Sequence, residues 1–154
     1  MVECGEKWGI NMFMGEFHHS IDEKGRLIIP AKYREMLGES FVITRGIEHC
    51  LYVYHTESFQ NIVSKLESLP FTKKDARSFN RFFMSGATAI EFDKQGRINI
   101  PSPLINYANL TKNCVIIGTI DRLEIWDEEA FQEFMNSATK DLSDIAEGLF
   151  EEKI

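Results

Sequence analysis

One stretch of this chain is written twice, and the repetition limits what the chain can fold into. Ile21-Asp22-Glu23-Lys24-Gly25-Arg26-Leu27-Ile28-Ile29-Pro30 is echoed by Phe92-Asp93-Lys94-Gln95-Gly96-Arg97-Ile98-Asn99-Ile100-Pro101. Asp22 and Asp93, Gly25 and Gly96, Arg26 and Arg97, and Pro30 and Pro101 all lie 71 positions apart (93 − 22, 96 − 25, 97 − 26, 101 − 30). The likeness continues past one inserted residue: Gly46, Leu51 and Phe59 match Gly118, Leu123 and Phe131 at 72 positions (118 − 46, 123 − 51, 131 − 59). The chain is therefore a tandem duplication of a unit of roughly 45 residues. Such a unit has too little core to stand alone, since domains below about 70 residues usually need a staple or a partner. Cys4, Cys50 and Cys114 are odd in number and widely spaced, with no Cys-x-x-Cys, so neither a disulfide framework nor a zinc finger is expected. Two units sharing one intertwined core are the route left, which makes 14–131 a single pseudo-symmetric domain.

Within each unit the pattern reads strand, turn, strand, short helix, strand, turn, strand. Residues 17–22 and 26–29, and 88–93 and 97–100, flank a Gly-containing turn, which is a hairpin signal. Pro30 and Pro101 suit the first position of a helix, and Gly38 suits the end of the first one. A second strand pair follows in each unit, 41–44 with 50–54 and 114–117 with 123–126. Phe59, Ile62, Val63 and Leu66 fall at helical spacing before Pro70, Thr72 is placed to cap a further helix, and Asp127 is placed to cap another. Leu142, Ile145, Ala146 and Leu149 repeat an amphipathic pattern near the end. The expected organisation is an extension over 1–13, a first unit over 14–59, a helical connector over 60–86, a second unit over 87–131 and an acidic helical tail over 132–154.

Composition excludes several classes. No apolar run is long enough for a membrane span, and Met1 to Asn11 has no apolar core of a secretory signal, so a cytoplasmic protein is expected. The net charge of −7 argues at first against nucleic acid. It is carried by 127–154, however, which hold nine acids and two bases. The remaining residues hold 15 acids (24 − 9) and 15 bases (17 − 2), so a basic face remains possible there. His18 and His19 point to opposite faces of a strand and cannot chelate one metal together. There is no phosphate loop, dinucleotide fingerprint or metalloprotease motif. No cofactor, metal, small-molecule substrate or enzymatic activity is expected.

The chemistry-bearing element is the twice-written Asp-x-x-Gly-Arg. An arginine just after a tight glycine turn presents a fork that reaches phosphate or the O6 and N7 edge of guanine. Asp22 and Asp93, four residues earlier, are placed to hold Arg26 and Arg97 through a bidentate pair. Gly25 and Gly96 supply the turn, and Lys24 and Lys94 within the two turns favour an anion-facing edge, with Lys32 and Arg34 adding charge nearby. The same Asp and Arg equally serve to lock the hairpin, and duplication does not decide between the two, because a structural device duplicates too.

From Met12 to Arg34 the sequence resembles the start of the bacterial MraZ family, and Asp93 to Pro101 stands where that family has its second motif. The resemblance implies an α+β, mainly β fold: two AbrB-like swapped-hairpin units forming one pseudo-twofold, β-barrel-like domain with flanking helices. It further implies a ring-shaped homo-oligomer, nucleoid-associated, that regulates transcription by binding double-stranded DNA at promoter repeats before the division and cell-wall gene cluster. On that reading Arg26 and Arg97 touch DNA and Asp22 and Asp93 hold them. Gln95 stands where the first motif has Lys24, so the two copies differ. An oligomeric interaction scaffold and an antitoxin-like relative of the same fold are the alternatives.

Overall fold

In the computed structural model, which describes residues 12–150, the two repeats trade strands. The fold is mixed α+β, with eight strands and six helices among the described residues. The first half runs β1 (Phe13–Ser20), β2 (Arg26–Ile28), α1 (Ala31–Leu37), β3 (Ser40–Arg45), β4 (Leu51–His55), α2 (Thr56–Glu67) and α3 (Lys74–Ser85). The second runs β5 (Thr88–Glu91), β6 (Arg97–Asn99), α4 (Ser102–Tyr107), β7 (Asn113–Ile120), β8 (Leu123–Asp127), α5 (Glu128–Lys140) and α6 (Leu142–Phe150).

β1 does not ladder with β2, nor β5 with β6, as simple hairpins would. β1 pairs with β7, β5 with β3, and β2 with β6, all antiparallel. Among the described residues only β3–β4 and β7–β8 pair within a repeat. The result is a six-stranded sheet in the order β1-β7-β8-β4-β3-β5 and a separate ribbon, β2-β6. Two of the ladders sit on a local twofold. In the ribbon Arg26, Leu27 and Ile28 face Asn99, Ile98 and Arg97, so exchanging repeat-equivalent residues returns the same register about the Leu27–Ile98 pair. In the middle of the sheet, Leu51, Tyr52 and Val53 face Ile125, Glu124 and Leu123, again self-consistent about Tyr52–Glu124. Among the described residues no ladder joins β1 to β5, so the hydrogen-bonded sheet stays open where a barrel-like closure was expected.

Strand alternation divides the interior in two. One face of the sheet (Phe41, Ile43, Leu51, Val53, Cys114, Ile116, Leu123, Ile125) packs on Leu27, Ile29, Ile98 and Ile100 around the ribbon and on Tyr33, Leu37 and Leu104 of α1 and α4. The other face (Tyr52, Tyr54, Val115, Trp126) packs on Phe59, Ile62 and Leu66 of α2, Phe79, Phe82 and Phe83 of α3, and Phe131 of α5. The ribbon and the acidic helix α5 therefore lie on opposite sides of the sheet. Lys73, Lys74, Arg77 and Arg81 form the solvated side of the α3 region.

The helix limits follow local chemistry, with some corrections. Asp127 caps α5, its carboxylate accepting from Ala130 N–H at 3.4 Å while also taking Thr111 Oγ1 at 2.8 Å. Its repeat equivalent His55 caps α2 through Nδ1, 3.1 Å from Glu57 N. Thr72 is not a cap: Lys73 N–H bonds back to Pro70, and α3 begins only after that turn. Pro30 and Pro101 precede the first helical residue instead of occupying it. Both described cysteines are free, and burial pushes their thiols up, Cys114 to about 12 and Cys50 likewise upward.

The alignment of the repeats also needs adjusting in β7. Phe41 and Ile43 face His55 and Val53, and Cys114 and Ile116 face the equivalent Asp127 and Ile125. Strand β3 therefore maps to β7 at 73 positions (114 − 41), and Gly118 is the counterpart of Arg45, not of Gly46. The two glycines do different things. Gly118 lies where a Cβ would run into the backbone of Phe13 and Met14, so it lets β1 close onto β7. Gly118→Ala is expected to lower stability by about 3 kcal/mol, the upper end for overpacking, because backbone has no rotamer with which to yield. A urea denaturation curve unchanged by this substitution would contradict the close approach.

Candidate functional site

Each Asp-x-x-Gly-Arg forms the same turn. Asp22 accepts three hydrogen bonds: Lys24 N–H at 3.0 Å and Arg26 N–H at 2.9 Å on Oδ1, and Arg26 Nε at 2.7 Å on Oδ2. Asp93 repeats the set with Gln95 N–H and Arg97 N–H at 2.9 Å and Arg97 Nε at 2.8 Å. The turns close through Gly25 N–H to Asp22 O at 3.0 Å and Gly96 N–H to Asp93 O at 3.1 Å. Glycine is needed at both: φ is +81° at Gly25 and +77° at Gly96, the left-handed region that a Cβ resists. Space is tight as well: a Cβ on Gly25 would lie 3.0 Å from Ile100 O, and one on Gly96 2.7 Å from the Arg34 guanidinium, which would have to move.

The expected bidentate Asp–Arg pair is not what forms. Each carboxylate spends one oxygen on backbone N–H groups and the other on Nε alone, because the turn brings those donors closer than the guanidinium end. This leaves Nη1 and Nη2 of Arg26 and Arg97 without a hydrogen-bond partner among the described residues. The side chains remain part-exposed, at 33% for Arg26 and 25% for Arg97. Hydrogen bonds from the arginine backbone, above all, hold both aspartates below the usual carboxylate range.

The two turns are clasped to each other. Ile100 N–H donates to Gly25 O at 2.8 Å, and Ile29 N–H donates to Gly96 O at 3.2 Å, so each glycine carbonyl is held by the other repeat. Arg34 crosses over as well, resting against Gly96 and donating to Ile29 O. Its repeat equivalent Ile105 packs on Gly25 in the same way. Lys24 and Lys94 are exposed, in different places of their turns. Lys32 lies 5.8 Å from the Phe17 and Tyr33 ring centres, toward β1. His18 is clamped by Glu128 at 2.7 Å and Glu16 at 2.8 Å, which raise its pKa, while His19 falls on the opposite face of β1.

A family model described as MraZ protein, antitoxin-like, matches the chain twice, over residues 12–82 and again over 83–153. The chain belongs to the MraZ family. That is a regulator-like or antitoxin-like family and not a family of enzymes. Each MraZ match contains one turn and its clasping strand. The border between the matches falls inside α3, where Phe83 is buried and packs on Tyr54 and Phe59 of the first repeat.

The ribbon register also exposes residues that motif reading passes over. Leu27 and Ile98 are fully buried beneath the ribbon, so Arg26, Ile28, Arg97 and Asn99 share its outer face. Ile28 is 41% exposed, and Asn99 is exposed with its Oδ1 beside Gly25 of the facing turn. The signal was present as strand alternation, but the pairing partner was needed to set two strands side by side.

The turns should be pH-sensitive only in acid. Both aspartates have folded pKa values below the ordinary 3.8, so their contribution is complete above that value and is lost as pH falls through the depressed one. The protection factors of the Lys24, Arg26, Gln95 and Arg97 amides, taken relative to intrinsic exchange at each pH, should hold from neutral pH to 3.8 and fall only below it. Protection already lost at pH 5 would contradict the carboxylate's role.

Proposed function

We propose that this chain is a DNA-binding transcription regulator that reads duplex DNA with the outer face of the β2–β6 ribbon. The observation that supports this best is the pair of twofold-related arginines, tethered at Nε and with no hydrogen-bond partner on their Nη groups among the described residues, on one solvent-facing side of an antiparallel two-stranded ribbon. The major groove of B-DNA admits such a ribbon, and arginine's fork matches guanine O6 and N7. The aspartates fix each arginine's stem without using up its hydrogen-bonding end. Lys24 and Lys94, exposed at the two turns, flank the ribbon as phosphate contacts. The overall negative charge does not oppose this placement, because Glu128, Glu129 and Glu133 sit on the helix that packs on the far side of the sheet.

By family resemblance, the DNA sites are promoter repeats before the division and cell-wall gene cluster, its own gene included, and the working form is a ring of identical subunits. Two features favour self-association. Among the described residues the sheet ends on β1 and β5, each with an unpaired edge, and α6 leaves Leu142, Ile145 and Leu149 exposed. Repeated weak contacts then add through multivalency on spaced repeats. Light scattering at micromolar concentration should report several subunits, and a monomer throughout would remove the ring from the proposal.

Affinity for a duplex covering the DNA upstream of its own gene should fall steeply with salt, as phosphate contacts require. Arg26→Ala and Arg97→Ala should each weaken binding by about 1–3 kcal/mol per contact and leave the fold and oligomer size intact, since each aspartate keeps its two backbone N–H bonds. Arg26, the more exposed of the two, should matter at least as much as Arg97. If these changes lower the melting temperature and spare DNA binding, the arginines only lock the turns and the proposal fails.

A further inference from the structure

Resting on the reading of the ribbon as the DNA-contacting face, we propose that Ile28 and Asn99 are specificity-determining residues, and that their difference gives the bound DNA element a direction. The ribbon's backbone is twofold symmetric. Arg26 pairs with Asn99 at one end and Arg97 with Ile28 at the other, so the exposed face holds the same arginine at both ends. The second residue of each end differs. Repeat equivalence puts Ile28 and Asn99 in one structural role, with unlike chemistry.

Neither residue belongs to the core, although Asn99 Oδ1 lies beside Gly25 of the facing turn. The buried face of the ribbon is supplied by Leu27 and Ile98, both 0% exposed. Ile28 points an aliphatic side chain outward from a three-residue strand, where the usual exposed residue is polar. Asn99 is a poor strand former, and its amide makes no hydrogen bond with the described residues. An asparagine amide offers a donor and an acceptor that fit adenine N6 and N7, whereas an aliphatic side chain fits the thymine methyl group. Directly opposed residues on a ribbon have Cβ atoms about 5 Å apart, little more than one base-pair step of about 3.4 Å. Each arginine and its cross-strand neighbour therefore address the same or adjacent base pairs. One end of the ribbon reads guanine beside adenine, and the other reads guanine beside a thymine methyl. The turn lysines do not change this, because phosphate contacts position the protein without carrying sequence information.

The test is selection from a random duplex library with the full-length protein and two reciprocal variants, Ile28→Asn and Asn99→Ile. The wild-type protein should enrich an element whose central base pairs lack twofold symmetry. Each variant makes the outer face symmetric, so each should enrich a palindromic centre, with adenine next to the contacted guanine on both strands for Ile28→Asn and thymine next to it on both strands for Asn99→Ile. Measured on the wild-type element against its symmetrised forms, preference should shift by roughly 5- to 100-fold in Kd, with the salt dependence unchanged. If all three proteins bind and enrich one common element, or if the wild-type element is already palindromic, this inference is overturned while the DNA-binding reading stands. Absence of binding to any duplex by the wild-type protein overturns both.

Discussion

The strand β2 has three residues and, among the described residues, pairs with no strand of its own repeat, and the same is true of β6. Everything around the site depends on the ladder these two strands form with each other. A unit of roughly 45 residues buries too little apolar surface to offset the entropy of ordering it, so an isolated copy gains little by folding. Exchange solves this by making each repeat's interior out of the other's residues. Leu27 and Ile98 meet at the twofold, and the glycine carbonyls at their flanks accept N–H groups from across the boundary. The same exchange sets β1 against β7 and β5 against β3, so the outer sheet and the inner ribbon are consequences of one pairing rule.

That rule explains why the turns are so tightly specified. The loop between β1 and β2 must reverse direction without a hairpin ladder behind it. Asp22 and Asp93 replace the missing ladder with three hydrogen bonds each, and a carboxylate below its usual pKa keeps them at all but strongly acid pH. Gly25 and Gly96 permit the left-handed backbone and leave space for the other repeat. The arginine is thus held at its stem and open at its tip. One device serves folding and recognition together, which is why spacing alone could not separate the two.

Duplication preserved the backbone more strictly than the surface. Tyr52 meets Glu124 on the sheet's twofold, and Glu124 binds Arg122 at 2.9 Å and Trp126 at 3.0 Å, an arrangement with no copy in the first repeat. Arg34 and Ile105 cover opposite turns with different chemistry. Ile28 and Asn99 differ on the outer face. Buried apolar positions are constrained by shared packing, whereas positions that face solvent or a partner are released to diverge.

Much of this was legible in the sequence. The 71-residue offset, the glycine turns, the short helix over 31–37, the Asp127 cap and the alternating apolar residues are local patterns, and local patterns survive in one dimension. The need for a shared core also followed from unit size alone. Three things did not follow. Strand partners are chosen between residues far apart in the chain, so the exchange of β1 and β5, and the 73-position match of β3 to β7, could not be seen in spacing. The carboxylate's preference for backbone N–H groups depends on turn geometry at the scale of a hydrogen bond. The common outer face of Arg26, Ile28, Arg97 and Asn99 exists only because two strands from different repeats lie in antiparallel register. The sequence determined which residues turn, cap and bury. The tertiary structure alone decided which of them stand side by side, because that is fixed by long-range hydrogen bonding and packing that no local pattern encodes.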